Sequence, residues 1–201
     1  MNEKLRYYLT SLTEEKIDSS RTDILDEIAD YVLHNANAKL NFICTHNSRR
    51  SHLSQVWAQT MAFVHDIPLE TFSGGTEATA FNENAVAALQ RAGFDVSKDG
   101  DENPTYRVSF AEDEDPILAF SKKYEDPPNP KEGFAAIMTC SEADSDCPVV
   151  FGADKRIKLF YVDPKVADGT PQQAATYDER CRQIAIEMRY VFDKINRTKE
   201  N

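Results

Sequence analysis

From residue 39 onward the chain alternates short apolar runs with amphipathic stretches of helical period, and this rhythm most limits what it can fold into. Residues 40–44 read as a buried strand. Residues 48–64 read as a helix with Leu53, Val56, Trp57, Thr60 and Met61 facing inward. A second strand at 69–73 closes on Gly74-Gly75, and a helix at 82–91 stops at Gly93. Apolar runs at 134–139 and 157–162 supply two more strands, and a long helix at 172–196 ends the pattern. Strands separated by helices predict an α/β fold with a parallel sheet and helices on both faces. Ligands in such folds bind at the carboxyl ends of the strands. Cys44, Cys140 and Asp163 stand at those ends and are expected along one edge.

Two segments break the rhythm. In residues 1–36, Leu5, Tyr8, Leu9 and Leu12 share one helical face. Ser20 or Thr22 could cap a second helix bearing Ile24, Leu25, Ile28 and Val32. This reads as a helical hairpin packed on the main domain or on a second copy of the chain. Residues 100–132 read as an insertion holding strands near 105–110 and 117–120, followed by the rigid Asp126-Pro127-Pro128-Asn129-Pro130.

The formal net charge of -11 argues against nucleic acid and anionic membrane as partners. No run approaches the roughly 20 apolar residues of a membrane span, and Met1–Tyr7 lacks the apolar core of a signal peptide. A cytoplasmic, reducing location is expected. There, Cys44, Cys140, Cys147 and Cys181 should be free thiols and candidates for redox work. Cys181 lies on the apolar stripe of the last helix and reads as core, as does Trp57. His34, His52 and His65 are expected in surface or half-buried places. With no paired histidines near the cysteines, no metal site is expected.

The chemistry concentrates at Cys44-Thr45-His46-Asn47-Ser48-Arg49-Arg50-Ser51. A cysteine between a strand end and a helix start sits where backbone N–H groups converge, a place that binds anions and favours a thiolate. Arg50 adds a planar fork of donors suited to a tetrahedral oxyanion. The implied reaction is thiolate attack on the central atom of a phosphate-like group.

This run resembles the phosphate-binding loop shared by low-molecular-weight protein tyrosine phosphatases and thioredoxin-coupled arsenate reductases. Thr71-Phe72-Ser73-Gly74-Gly75 resembles the family's second strand and turn. Phe81-Asn82-Glu83-Asn84-Ala85, with Gly93-Phe94-Asp95-Val96-Ser97, resembles its second helix and exit. The resemblance implies a flavodoxin-like three-layer fold with a four-stranded parallel sheet. It divides the chain into an N-terminal extension, residues 1–36, and a phosphatase-like domain, residues 37–201, carrying the insertion at about 100–132. It also implies roles. Cys44 is the nucleophile, aided by Ser51, and Arg50 grips the oxyanion with loop residues 45–51. Asn47 braces the loop, Ser48 caps the helix, and Asp163 in Tyr161-Val162-Asp163-Pro164 is the general acid. His46 replaces the usual loop glycine and should face solvent. Arg49 is read evenly as a solvated side chain or a ligand.

Cys140 and Cys147, the latter followed by Pro148, resemble the redox pair of the reductases, a pair tyrosine phosphatases do not need. The polar residues around Cys147 place it at the surface. Lys165-Val166-Ala167 stands where phosphatases carry aromatic residues. The leading expectation is arsenate reduction through Cys44, Cys140 and Cys147, with no bound cofactor and thioredoxin as external reductant. A phosphatase needing only Cys44, Arg50 and Asp163 is the alternative. A non-enzymatic oxyanion-responsive module is a third.

Overall fold

The structure, a computed structural model, describes residues 1–13, 15–147 and 149–199. Four strands form one parallel sheet in the order β2 (Glu70–Gly75), β1 (Lys39–Cys44), β6 (Phe134–Met138), β7 (Ala153–Lys158). Side chains alternate across it. Leu40 and Phe42 of β1, with Ala135 and Ile137 of β6, face the main core. Ile43, Phe134, Ala136 and Met138 face a second, smaller cluster.

The main core is covered by α1 (Glu3–Ser11), α2 (Ser19–His34), α3 (Arg50–Val64), α4 (Glu83–Ala92) and α6 (Gln173–Lys199). The second face is covered by α5 (Ser141–Asp146) and by the end of the insertion. The sheet is therefore a middle layer, as the alternating pattern predicts. The fourth strand begins earlier than the sequence suggests, and Asp163 lies beyond it, capping a 3₁₀ turn at Pro164–Ala167.

The N-terminal helices belong to this core. Leu5, Leu12, Leu25 and Ile28 are each 0–1 % exposed, in contact with the same cluster as α3 and α6. The backbone of Leu5 rests on Gly93, a left-handed residue (φ 114°) where a Cβ would strike the Leu5 main chain. Asn2 caps α1 through Leu5 N and reaches Gly93 O. Arg21 of α2 bridges to Glu187 of α6 and to Phe160 O. The apolar face that suggested a dimer contact is thus spent within the chain. Asp18, not Ser20 or Thr22, caps α2, accepting from Ser20 N.

The insertion and the residues just before it form a separate antiparallel sheet: β3 (Asp95–Asp99), β4 (Thr105–Ser109) and β5 (Ile117–Ala119). Two of these strands were expected. β3 was not, because its exposed residues Asp95, Ser97, Lys98 and Asp99 carry no apolar alternation. Among the described residues no helix is long and apolar enough to cross a membrane.

Leu25 tests the integration of the N-terminal segment. Replacing this fully buried side chain by Ala should lower stability by about 2–4 kcal/mol, measured by urea unfolding. A change below about 0.5 kcal/mol, the size of a surface substitution, would show that the segment lies outside the cooperative core.

Candidate active site

The loop after β1 is drawn outward by its carbonyls. Cys44 O accepts from Thr76 N, Thr45 O from Glu77 N, His46 O from Ser121 Oγ, and Ser48 O from Asn82 N. With the carbonyls turned out, the peptide N–H groups are left on the concave side, where α3 begins. Asn47 makes the reversal possible. It is fully buried with φ 44°, a left-handed conformation that asparagine tolerates. Its Nδ2 donates to Ser51 Oγ at 2.8 Å, and its Oδ1 accepts from Lys122 N at 3.0 Å. His46 has no need of glycine's freedom, because the positive φ falls on Asn47. Its half-exposed ring faces outward beside Glu77, as expected.

Cys44 is 3 % exposed, and its Sγ lies 3.1 Å from Ser51 Oγ. Gly75 is required beside it, since a Cβ there would lie 2.6 Å from Thr45 O and 2.7 Å from Asn47 N. Arg50 is 8 % exposed. It donates through NH1 to Tyr161 O at 3.1 Å and through NH2 to Asp163 Oδ2 at 2.8 Å. Its buried Nε has no protein acceptor, a donor free for an oxyanion at the loop. Asp163 also accepts from Lys165 N through Oδ1. The general-acid candidate therefore lies at the loop mouth, on the same guanidinium that would grip the anion.

Arg49 is neither solvated nor poised for a ligand. Its Nε donates to Tyr177 OH at 2.8 Å, and NH2 lies 3.4 Å from Asp168. Ser48 is not a helix cap. Its hydroxyl donates to Ala80 O at 2.7 Å, and the residue preceding α3 is Arg49, whose side chain caps nothing.

The three cysteines expected to react share one apolar cluster, with Ile43, Phe134, Ala136, Met138, Ala143 and Val150. Cys140 is 1 % exposed at the N-cap of α5. Its Sγ accepts weakly from Ala143 N and lies 3.5 Å from Thr45 Oγ1 in the anion loop. Burial pushes its thiol up, against lowering hydrogen bonds from Thr45 and Ala143. Cys147 is also buried, at 9 % exposure, and not at the surface. Its polar neighbours point to water while its thiol turns in, donating toward Tyr124 OH and Val149 O. Pro148 lies outside the described residues. α5 is held by Asp144, which pairs with Arg156 and Lys158 of β7. All four cysteines are unbridged. Cys181 is core, accepting from Trp57 Nε1, and burial pushes it to about 12.

His52 departs from expectation. It is fully buried, stacked 4.1 Å from Phe81, with Nδ1 3.1 Å from Ser73 Oγ. Desolvation, with help from Lys122, holds it neutral. The segment 121–124 was also missed. Ser121, Lys122 and Tyr124 tie the insertion to the loop and to Gly75. The only sequence signal was the pair Lys122-Lys123 in an otherwise acidic stretch. Among the described residues no cluster of His, Cys, Asp or Glu is placed to hold a metal ion.

The chain as a whole is similar to known proteins. An arsenate reductase from Bacillus licheniformis is 29% identical over 141 residues, covering 70% of this chain and 84% of that protein. One from Bacillus subtilis is 28% identical over 146 residues, covering 73% and 88%. A low-molecular-weight phosphotyrosine phosphatase from Vibrio cholerae superposes with TM-score 0.56 over 82% of this chain and 100% of its own, at 11% identity. The chain is thus similar in sequence to arsenate reductases and shares the fold of a low-molecular-weight phosphotyrosine phosphatase. An arsenate reductase in a phosphate-bound state superposes with TM-score 0.50 over 79% of this chain and 98% of its own, at 16% identity. At such identities the superpositions speak for the fold alone. No protein-family model matches the chain.

Asn47→Ala removes both side-chain bonds that brace the loop after β1. We expect about 1–3 kcal/mol lost in stability from the buried groups left unpaired, read by urea unfolding, and weakened protection of Cys44 from alkylation by phosphate. Unaltered protection would show that the loop does not depend on this side chain.

Proposed function

We propose that the protein is an arsenate reductase working through Cys44, Cys140 and Cys147. The observation that carries the reading is the single apolar cluster holding all three thiols, with Thr45 linking the anion loop to Cys140. The arsenate reductases among its relatives support it. A phosphatase would need Cys44, Arg50 and Asp163 but has no use for two further thiols beside them.

Arsenate would sit in the loop against the N–H groups and the free Nε of Arg50. The Cys44 thiolate attacks arsenic and a hydroxyl departs as water, taking its proton from Asp163. The Cys140 thiolate then attacks Cys44 Sγ. A sulfur–sulfur bond forms, the electron pair of the Cys44–arsenic bond stays on arsenic, and arsenite leaves. Cys147 next attacks Cys140 and releases Cys44 as thiolate, leaving a Cys140–Cys147 disulfide. Two electrons have passed from two thiols to arsenic. An external dithiol protein, thioredoxin in this proposal, returns them by exchange. No bound cofactor is needed, and the reduced thiols fit a cytoplasmic compartment. Residues 37–199 with their insertion act as the catalytic unit, and residues 1–36 complete its core.

Three outcomes test the reading. Cys147→Ser should support at most one round of arsenate reduction with thioredoxin present, and full multiple turnover would sink it. The raised Cys140 thiol gives a pH signature. At neutral pH it is mostly protonated, so its attack on Cys44 should speed up with rising pH, without levelling below the ordinary thiol pKa of about 8.5. A plateau at neutral pH in single-turnover disulfide formation would contradict that assignment. Efficient hydrolysis of an aryl phosphate by the Cys140→Ser protein, far above arsenate reduction by the parent, would favour the phosphatase instead.

A further inference from the structure

The strap that closes the anion loop carries a lysine that the reaction above does not use. Lys122 is 4 % exposed. Its Nζ donates to Phe120 O at 3.3 Å and lies 4.6 Å from the centroid of the Phe120 ring. Among the described residues no carboxylate pairs with it. Lysine is rarely buried without a partner, because an uncompensated charge in the interior is costly. Its titratable neighbour is His52, itself held neutral and so offering no negative charge. The two loop arginines differ: Arg50 pairs with Asp163, and Arg49 with Asp168.

Its backbone is built into the site. Lys122 N donates to Asn47 Oδ1 at 3.0 Å, and Lys122 O accepts from Gly75 N at 2.9 Å. Asn47 in turn holds Ser51, which lies against Cys44. Burial lowers the ammonium to about 8, which leaves it mostly charged at neutral pH. Among the described residues no side chain neutralises this costly cation, whose backbone is bonded into the anion loop, and its natural counter-charge is the loop's ligand.

We propose that Lys122 is a positioning residue for the oxyanion site, a built-in cation behind the loop that strengthens its hold on tetrahedral oxyanions. This rests on the reading that the Cys44–Arg50 loop binds such anions. The ligand favoured is doubly charged, arsenate or phosphate, rather than a neutral acid such as arsenite. The same charge would help arsenate bind and do nothing to retain the product.

The test uses the full chain and inorganic phosphate. The Kd is read from protection of Cys44 against iodoacetamide, and the Tm is measured in parallel. Lys122→Met, similar in length and uncharged, should weaken phosphate binding on the order of tenfold. At an effective dielectric of about 20, tenfold is roughly what one charge exerts on a dianion about 20 Å away, so it is a lower bound for a nearer ammonium. Its Tm should stay level or rise, because a buried unpaired charge has been removed. Lys122→Arg keeps the charge and should keep most of the affinity. Phosphate affinity within twofold of the parent in Lys122→Met overturns the proposal. So does equal loss in both variants, or a loss that comes only with a lower Tm, since either assigns the effect to packing. A parent protein that shows no phosphate protection overturns the oxyanion reading itself.

Discussion

The side chain of Asn47 is the contact on which the site depends. Its left-handed backbone reverses the chain between β1 and α3, and its amide group bonds in two directions. One bond holds Ser51, which lies against the Cys44 sulfur. The other holds Lys122 of the insertion. Both are buried, so losing either leaves a polar group unpaired in the interior. The nucleophile, the start of the helix and the strap over the sheet are therefore fixed by one residue. Gly75 completes the arrangement from β2, where any side chain would collide with the loop.

The two faces of the sheet divide the work. On one, the helices bury the aliphatic residues that hold the fold, including those of the N-terminal segment. On the other, the small cluster around Ile43 and Met138 holds Cys44, Cys140 and Cys147. The covering there is thin, a six-residue helix and a strap, and it is held partly by the charges of Asp144, Arg156 and Lys158. Such a cover can rearrange while the main core stays packed, because few apolar contacts tie it down. A relay in which Cys147 leaves a buried place to meet a partner needs that property.

Much of this was legible in the sequence because it rests on local pattern. The strand–loop–helix run placed Cys44 and Arg50, and the apolar periods placed the sheet and the helices. His46 facing out and Cys181 in the core follow from residue type and position, whereas the expected places of Asn47 and Ser51 came from the family resemblance. What failed depended on distant partners. Ser48 looked like a cap, but Ala80 O draws its hydroxyl away. Cys147 looked exposed because its neighbours are polar, yet Tyr124, far earlier in the chain, receives its thiol. His52 was read as ordinary because no local sign shows that Phe81 and Ser73 enclose it. β3 has no apolar alternation, and only its pairing with β4 defines it. Lys122 was invisible for the same reason, being one basic residue in an acidic insertion.

The central claim is that the adduct on Cys44 is resolved by thiols rather than by water. The most direct measurement is mass-spectrometric disulfide mapping of the reduced protein after arsenate treatment in the absence of any reductant. The account predicts a Cys140–Cys147 bond formed in proportion to arsenite released, with Cys44 recovered as a free thiol. Arsenate treatment that leaves Cys140 and Cys147 reduced while the protein remains folded would contradict it.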